Sequence, residues 1–386
     1  MAIAIRLNFI FIMKKILFGL LLILISCNNK NSTIQEKQHI KAISRNIDQE
    51  SLKLDAEVSF VQLETSKECL LGYIINIEVT DDYIYILDRS SFFVFTNKGN
   101  FIKKIKRGKG PGELTRAINF SLDLARNEIY IIEMGNLLHI YNNLADYKET
   151  HKLDGSFIDV VRVDDDNFLL YTVLPPKYEE FLISVYNKKS KNITNKFISS
   201  KDLLMKDLSI LTYNNFFVKN SEIFFSASNS RNIYKYIGNG METTYSIDFR
   251  NLEPPISYFS MFDDVRNFKK MVYNDDYVGF LNYCYDLGKL VLFGFKCKDF
   301  NCGIKYKDEN IMYMSSVSEL FDLPQTPSFE RPYNANDNQI HFVYFNDILL
   351  NDNLQKKEAF LEIGNKIIQV NENNNPIIVT LKIKEK

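Results

Sequence analysis

Two stretches of the chain resemble each other closely enough to decide its fold class: DDYIYILDRSSFFVFTNKGNFIKKI, residues Asp81–Ile105, and RNEIYIIEMGNLLHIYNNLADYKET, residues Arg126–Thr150. Each contains an apolar run, a polar break, a second apolar run, a turn, and a third run in which apolar and polar residues alternate. Short runs of this kind, separated by turns, are typical of β-strands in hairpins. The offset of about 45 residues is that of a β-propeller blade, which is a four-stranded antiparallel sheet.

The repeat extends beyond these two stretches. Aligning them places Asp88 opposite Glu133, and weaker copies of the pattern continue as far as the C-terminal strands. Counting the copies predicts an all-β fold, a six-bladed β-propeller, with five or seven blades as the alternatives. Helical spacing of apolar residues at 201–211, 256–272 and 351–365 predicts short helical insertions.

The composition fits a large β domain. The chain has 386 residues, 46% of them hydrophobic, and it is rich in Phe (30) and Tyr (22), which favour strands. The formal net charge of -1 becomes -4 when the first 26 residues, with their three basic and no acidic side chains, are removed. A mildly acidic domain lacks the basic footprint of nucleic-acid binding, so no nucleic-acid partner is expected.

The N-terminal region has the features of an export signal. From Met13 the sequence reads MKKILFGLLLILISC, with two lysines and an apolar run that ends in a small residue before Cys27. This layout is typical of a signal peptide, and the final LISC resembles the bacterial lipobox, in which the cysteine is acylated and becomes the first residue. We expect a signal peptide at 1–26, with a start at Met13 as an alternative, a lipidated Cys27 with a flexible tether at 27–48, and a propeller domain at 49–386.

Several acyl chains on Cys27 would hold the protein stably on a membrane. The expected location is therefore the bacterial cell envelope, at its outer membrane. An ordinary signal peptide with an incidental cysteine is the alternative.

Four further cysteines, Cys69, Cys284, Cys297 and Cys302, lie in the domain. An exported chain permits disulfides, and the spacing in CKDFNC would let Cys297 and Cys302 close a small loop. Buried thiols are the alternative. A structural zinc site is not expected, because the sequence has no second pair of closely spaced cysteines and no histidine near these four.

The glycine-rich stretch RGKGPGEL, residues Arg107–Leu114, follows the first repeat. It lacks the Gly-Lys-Ser/Thr ending of a phosphate-binding P-loop and the glycine spacing of a dinucleotide fingerprint. The favoured interpretation is a connection between two blades, in which the glycines supply positive φ. The alternative is that Arg107, Lys109 and Glu113 line the mouth of the central channel and contact a ligand.

The N-terminal part of the predicted propeller domain resembles a known family. The stretches VQLETSKECLLGYI, DDYIYILD, VFTNKGNFIKKI, RGKGPGEL and INFSLDLARNEIYIIE are similar to the N-terminal blades of six-bladed, NHL-like β-propeller lipoproteins of Bacteroidetes. In that family a Gly-Lys/Arg-Gly-Pro-Gly-Glu segment follows the first blade. The resemblance covers about Val61–Thr150 and departs from the family at Leu114, where the family has an aromatic residue. It implies six blades, a lipid anchor and an envelope location, and it implies no particular activity.

Sequence signatures of common catalytic centres are absent. The chain has neither a Gly-x-Ser-x-Gly nucleophile elbow nor a His-Glu-x-x-His zinc motif. Its four histidines are scattered, which favours structural roles, and its aspartate-rich turns lack the spacing of a calcium loop. Asp88 and Glu133 are better candidates, because acids repeated at equivalent strand ends could form a ring at the channel mouth. Hydrogen bonding to backbone N–H groups is the favoured role for both.

These features favour a lipid-anchored, non-catalytic envelope module, without a cofactor, that binds a glycan, a small molecule or a protein partner. The abundant Tyr and Phe side chains suit stacking on sugars or peptides. The alternative is a metal-dependent propeller hydrolase or lyase, in which carboxylates hold Ca²⁺ in the central channel.

Overall fold

The structure is a computed structural model, and its described residues are 38–44, 53–134, 136–173, 179–203, 212, 214–228, 230–255, 268, 270–346, 358–371 and 373–384. The predicted signal peptide and Cys27 lie outside them. The described part of the chain is mostly β, which confirms the all-β prediction. None of the helices in this part combines the length and the apolar character that crossing a bilayer requires.

Three four-stranded antiparallel sheets form the first half of the domain, and each consists of four consecutive strands. The first sheet contains β3–β6, the second β7–β10 and the third β11–β14. The two stretches that repeat in the sequence supply three strands each to the first and second sheets. The strands in chain order are β1 (Gln38–Ser44), β2 (Ala56–Gln62), β3 (Ile74–Val79), β4 (Tyr83–Asp88), β5 (Phe92–Thr96), β6 (Phe101–Ile105), β7 (Ala117–Asp123), β8 (Glu128–Glu133), β9 (Leu137–Asn142), β10 (Tyr147–Lys152), β11 (Asp159–Arg162), β12 (Asn167–Tyr171), β13 (Phe181–Asn187) and β14 (Asn192–Ser199).

Two further four-stranded meanders follow, and β1 joins them into one nine-stranded sheet. In this sheet β1 lies between the last strands of the two meanders and runs parallel to both. The strands of the meanders are β15 (Phe216–Lys219), β16 (Glu222–Ser226), β17 (Asn232–Tyr236) and β18 (Met241–Asp248), then β19 (Phe280–Asp286), β20 (Leu290–Cys297), β21 (Asp299–Tyr306) and β22 (Ile311–Ser315).

The position of β1 corrects the sequence analysis, which placed residues 27–48 in a flexible tether. That assignment is wrong for Gln38–Ser44. In this segment polar and apolar residues alternate, so that Ile40 and Ala42 are buried while His39 and Lys41 are exposed. A segment with this pattern can cover an apolar surface as a strand.

The last sheet combines the two ends of the domain. It contains β2 and three of the last five strands, and β2 pairs antiparallel with β27 over its whole length. The other two strands, β25 and β26, form a separate hairpin, so the helix predicted at 351–365 is wrong for the residues of β25. The turn at Gly364, with a φ of 59°, lets this segment fold back on itself. The five strands are β23 (Asn334–Asn336), β24 (Gln339–Tyr344), β25 (Glu358–Ile363), β26 (Lys366–Asn371) and β27 (Ile377–Ile383).

The first strands of successive sheets and meanders lie side by side in a closed circuit. Strand β3 contacts β7, β7 contacts β11, β11 contacts β15, β15 contacts β19, β19 contacts β23, and β23 contacts β3. The sheets therefore stand face to face around a common axis, which is a β-propeller-like fold. The N-terminal strand β2 closes the circuit, because it completes the sheet that also holds the C-terminal strand.

The hydrophobic core lies between neighbouring sheets. Phe92 of the first sheet and Phe120 of the second pack edge to face, with ring centroids 4.9 Å apart. Tyr130 and Phe168 do the same between the second and third sheets, at 5.1 Å. Burying one such ring contributes roughly 2–3 kcal/mol. Because these contacts recur around the circuit, they hold the sheets together.

Helical elements in the described residues are short. The helix α1 (Val317–Phe321) begins with a capping box, in which the side chains of Ser316 and Glu319 bond each other's backbone N–H groups. Single turns occupy Ser200–Asp202, Arg250–Leu252, Lys270–Asn274 and Pro327–Phe329. The insertions predicted at 201–211 and 256–272 lie mostly outside the described residues.

The possible disulfide between Cys297 and Cys302 is not formed. Cys297 ends β20 beside the hairpin turn, whereas Cys302 lies in the middle of β21. Their Sγ atoms donate to different carbonyl groups, that of Cys297 to Asp276 at 2.9 Å and that of Cys302 to Ser315 at 3.4 Å. The hairpin therefore directs the two thiols to different neighbours.

The stretch RGKGPGEL connects β6 to β7, as the favoured interpretation predicted. Within it, the Glu113 side chain accepts a hydrogen bond from the backbone N–H of Gly110 at 2.8 Å. Gly112 has a φ of 72°. The expectation of positive φ is wrong for Gly108 and Gly110, whose loop is held by hydrogen bonds instead.

Candidate functional site

A cavity of about 310 Å³ lies on the axis of the circuit, and we call it the axial cavity. It is lined by residues of the first strands β3, β7, β11, β15, β19 and β23. Its volume is at the lower end of the range of about 300–1,000 Å³ that is usual for ligand pockets. The lining includes one lysine, four carboxylic acids and four aromatic residues: Lys219, Glu78, Asp159, Asp286, Asp337, Phe120, Phe216, Phe217 and Tyr285.

Glu78 lies near the C-terminal end of β3. Its Oε2 atom accepts a hydrogen bond from Nδ2 of Asn334 on β23. The residue as a whole is half-buried, and it lines the cavity. Burial raises the pKa of Glu78 to about 7, against the effect of the Asn334 hydrogen bond, and the charge of Asp159 raises it further. Protonated and ionised forms of Glu78 therefore coexist at neutral pH.

Asp159 is the first residue of β11, and its side chain is buried. Its Oδ1 accepts from the N–H of Val160 at 2.8 Å, and its Oδ2 accepts from the N–H groups of Asn215 at 2.9 Å and Phe216 at 3.3 Å. Burial raises the pKa of Asp159 to about 7, although these backbone hydrogen bonds lower it. Asp159 thus fastens β11 to the start of β15 and presents a carboxyl group whose charge changes near neutral pH.

Asparagine side chains near the axial cavity form a hydrogen-bonded network that we call the asparagine floor, and of its three members Asn76, Asn119 and Asn214 only Asn214 lines the cavity. Nδ2 of Asn76 donates to Oδ1 of Asn119 at 2.8 Å and to Oδ1 of Asn214 at 2.9 Å. Asn214 in turn donates to the carbonyl of Tyr333 at 2.5 Å. Asn76 and Asn119 are buried, so these hydrogen bonds replace those that water would make. The network holds β3, β7 and the segments before β15 and β23 in fixed positions.

The wall and rim of the axial cavity have different chemistry. Phe217 on the wall stacks on Phe224, with ring centroids 4.9 Å apart, which limits its freedom to turn. At the rim, Nζ of Lys219 lies 2.9 Å from Oδ1 of Asp337. The cavity therefore combines aromatic surface, hydrogen-bonding amides and carboxyl groups. Such a set can bind a ligand that has both apolar faces and hydroxyl groups.

Asp88 and Glu133 occupy equivalent positions at the ends of β4 and β8, as the aligned sequences predicted. Asp88 accepts a hydrogen bond from the backbone N–H of Gly72 at 2.8 Å, and Glu133 accepts one from that of Thr115 at 2.9 Å. The two side chains are buried, and neither lines the axial cavity. Each fastens the segment before the first strand of its sheet to the second strand, which is the backbone-binding role that the sequence favoured.

Arg107, Lys109 and Glu113 lie in the connection between β6 and β7, and they do not line the axial cavity. The Glu113 carboxylate is engaged by the backbone of its own loop. A ligand contact by these three residues stays a prediction.

Three histidines, His139, His151 and His341, are buried within sheets. Nε2 of His139 lies 2.8 Å from Oε2 of Glu133, and Nδ1 lies 2.8 Å from Oγ1 of Thr150. Burial lowers the pKa of His341 to about 4, and it also lowers the pKa of His139, although Glu133 opposes that shift. These packed, hydrogen-bonded positions are those of structural histidines. In the part of the chain that the structure describes, no three His, Cys, Asp or Glu side chains come together in a way that could hold a metal ion.

Sequence reasoning missed Glu78, Asp159 and the asparagines of the floor. A signal was present, because Asn76 in IINIEV and Asn119 in AINFSL each interrupt an apolar strand. The two also hold equivalent places, since a shift in register precedes each of them in its strand. A polar residue at a buried strand position needs a hydrogen-bonding partner, and such residues at repeated positions therefore indicate a shared network.

The fold occurs in known structures. A protein of Bacteroides fragilis NCTC 9343 for which export is inferred is 18% identical, with a TM-score of 0.70, over 90% of this chain and 100% of its own. The WD40 repeats of RRP9 align with a TM-score of 0.48 and 9% identity, over 86% of this chain and 100% of theirs. At 18% identity, the likeness to the Bacteroides fragilis protein shows a shared fold alone.

A sequence family spans the domain. No curated protein matches the sequence. The model of the family described as a domain of unknown function, DUF4934, matches residues 39–382, from within β1 to within β27. The chain therefore belongs to the family of the domain of unknown function DUF4934.

Proposed function

We propose that the domain is a six-bladed, NHL-like β-propeller that binds a saccharide in the axial cavity and does not catalyse a reaction. The observation that carries this proposal is the cavity itself. Two carboxyl groups with raised pKa values, Glu78 and Asp159, face a space of about 310 Å³ that is also lined by aromatic rings.

The blade number rests on strand order. Strands β3–β6 form the first blade, and four-stranded sets recur until β23, β24, β27 and β2 form the last. In this arrangement β2 is the outer strand of the last blade, and its hydrogen bonds to β27 close the ring. The contacts between successive first strands, including that of β23 with β3, support a closed ring of six.

A saccharide fits the chemistry of the axial cavity. Sugar hydroxyl groups can donate to carboxylate and amide oxygens, and the apolar faces of sugar rings pack on aromatic side chains. Because the pKa values of Glu78 and Asp159 are about 7, a protonated fraction can also donate a hydrogen bond to the ligand. A neutral ligand also avoids the desolvation penalty that a charged one meets in an enclosed site.

We also propose that the protein is exported and anchored to the bacterial envelope by a lipid on Cys27, at the outer membrane. The signal-like segment from Met13 and the LISC sequence support this location. The inferred export of a Bacteroides fragilis protein with the same fold adds support.

Isothermal titration calorimetry with a panel of mono- and oligosaccharides at pH 7 tests the binding function. We expect a member of the panel to bind and the Glu78→Gln variant to bind it at least tenfold more weakly, a loss of about 1.4 kcal/mol or more. Glu113→Gln is the control, because Glu113 does not line the cavity. The proposal is wrong if no saccharide binds, or if both variants bind as the wild type does.

A further inference from the structure

Strand β1 lies between the outer strands of two neighbouring blades and pairs with both. Its residues 38–41 are opposite 245–248 of β18, and its residues 41–44 are opposite 311–314 of β22. Both pairings are parallel. One extended segment thus fills the space between two blades.

The two partner strands would have open edges without β1. Each is the last strand of a four-stranded meander, so the backbone groups on its outer edge have no partner within that meander. Since β18 and β22 run in the same direction, one segment can pair with both. Lys41 lies where the two pairings meet, and its N–H donates to the carbonyl of Asn310 at 3.0 Å while the residue is opposite Asp248.

The two faces of β1 have different surroundings. Ile40 and Ala42 are buried in an apolar cluster that includes Ile247, whereas His39 and Lys41 are exposed. The space therefore accepts a branched apolar side chain and a small apolar side chain two positions later. We call this space, bounded by β18 and β22, the strand slot.

Strand β1 completes neither meander. Both have four strands without it, and the circuit of first strands makes its contacts without it. Of the side chains of Gln38–Ala42, only those of Ile40 and Ala42 are buried. Departure of β1 would therefore leave the strand pairing within each meander intact and would uncover the apolar cluster around Ile247.

We propose that the strand slot is a peptide-binding site, which β1 fills within the chain and from which it exchanges with an extended segment of a partner protein. The partner segment carries the same apolar pattern as β1. Recognition is by strand addition, in which backbone hydrogen bonds provide affinity and pockets for alternate side chains provide selectivity. The family match begins at residue 39, so the slot and its occupant both belong to the family domain. This proposal does not depend on the axial cavity.

Fluorescence anisotropy with a labelled peptide, Gln-His-Ile-Lys-Ala-Ile-Ser, tests the slot in the full chain. The peptide reproduces residues 38–44. The double substitution Ile40→Asp with Ala42→Asp should release β1 and open the slot, because it places two charges against an apolar surface. We expect this variant to bind the peptide at least tenfold more tightly than the wild type does, since the wild-type slot is filled.

Two controls make the result specific. His39→Asp with Lys41→Asp changes the exposed face of β1, so this variant should bind the peptide as weakly as the wild type. A peptide that carries Asp at the positions of Ile40 and Ala42 should bind the opened slot at least tenfold more weakly. The proposal is overturned if the opened variant does not bind the peptide, or if all three proteins bind it equally.

Hydrogen exchange on the unaltered protein gives a second measurement that does not require a variant. The N–H of Lys41 in β1 and the N–H of Ile247 in β18 both donate to backbone carbonyls, at 3.0 and 2.9 Å. If β1 leaves the slot while the blades stay folded, the Lys41 amide should exchange at least tenfold faster than the Ile247 amide. Equal rates for the two amides would mean that β1 leaves only when the blade unfolds. That result would overturn the proposed replacement of β1 by a partner segment.

Discussion

Glu78 and Asp159 face the same axial cavity from β3 and β11, and each has a pKa raised to about 7. Burial is the main cause for both, and the charge of Asp159 adds to the shift of Glu78. In the folded domain each group therefore keeps its proton at pH values where the unfolded chain has lost it. The pair adds negative charge to the cavity as the pH rises through 7.

The stability of the domain should carry the pH signature of these two groups. The pKa values of Glu78 and Asp159 are about 7 in the folded domain, above their ordinary values of 4.5 and 3.8. Protonation of the two groups therefore stabilises the folded domain. This stabilisation is fully present below about pH 4 and is lost as the pH rises through 7. Gln at position 78 has no proton to lose. We therefore expect Glu78→Gln to gain about 1–3 kcal/mol relative to the wild type between pH 5 and pH 8.5.

Urea unfolding of both proteins at several pH values measures this gain. The comparison with the wild type removes the opposite effect of His341, whose pKa burial lowers to about 4. A stability difference that does not change with pH would show that Glu78 titrates like an exposed glutamate.

The asparagine floor should contribute strongly to stability. Asn76→Leu removes the donor to Asn119 and Asn214 and leaves the acceptors of buried Asn119 and half-buried Asn214 without that partner. We expect a loss of about 2–4 kcal/mol in the free energy of unfolding, measured by urea denaturation. Asn192→Leu, at an exposed strand position, is the matched control and should change it by less than about 0.5 kcal/mol. Equal losses at the two positions would contradict a structural network at the floor.

Asp88 should act on stability and not on ligand binding. Its carboxylate accepts hydrogen bonds from the N–H groups of Gly72, Ser90 and Ser91 at 2.8, 2.7 and 2.7 Å, so Asp88→Ala leaves three backbone donors without this acceptor. We expect a loss of about 2–4 kcal/mol in the free energy of unfolding. Calorimetry with the bound saccharide should give an unchanged Kd. Lost binding with normal stability would instead support a role for Asp88 in contacting the ligand.

Gly112 should be intolerant of a side chain. Its φ is 72°, and a Cβ atom there would lie 2.6 Å from Cβ of Tyr147. We expect Gly112→Ala to lower the free energy of unfolding by about 2–4 kcal/mol, through backbone strain and steric overlap together. Gly238→Ala separates the two effects, since Gly238 has a φ of 84° but an open space around it. The steric explanation fails if the two variants lose equal stability in thermal unfolding.

Membrane attachment should depend on Cys27. Cys27→Ser removes the thiol that would be acylated, so the protein should move from the membrane fraction to the soluble fraction. Fractionation followed by immunoblotting measures the distribution. If the variant stays with the membrane while its signal peptide is still removed, the lipid anchor is not what holds the protein there.

The strand pattern could be read from the sequence because it is local. The alternation and turns of Asp81–Ile105 and Arg126–Thr150 depend on neighbouring residues, and they predicted six strands that the structure contains. The same local argument predicted equivalent backbone-binding positions for Asp88 and Glu133.

Local reasoning failed where distant strands decide the conformation. Residues Gln38–Ser44 resemble a tether in isolation, because the edges of β18 and β22 that turn them into a strand come from much later in the chain. The segment Glu358–Ile363 has helical spacing, yet it pairs with the strand that follows it, Lys366–Asn371. Pairing of the backbone with another strand outweighs the weak helical preference of Glu358–Ile363.

The sequence by itself determined that the chain is a repeated β-meander with an export-like N-terminus. Only the tertiary structure brought Glu78, Asn334 and Asp159 to one cavity, because they are separated by dozens to hundreds of residues and meet only when the ring closes. The pKa values of Glu78 and Asp159 are raised by burial, and that of Glu78 is raised further by the charge of Asp159. The burial and the proximity of the two carboxyl groups arise only when the sheets pack around the axis.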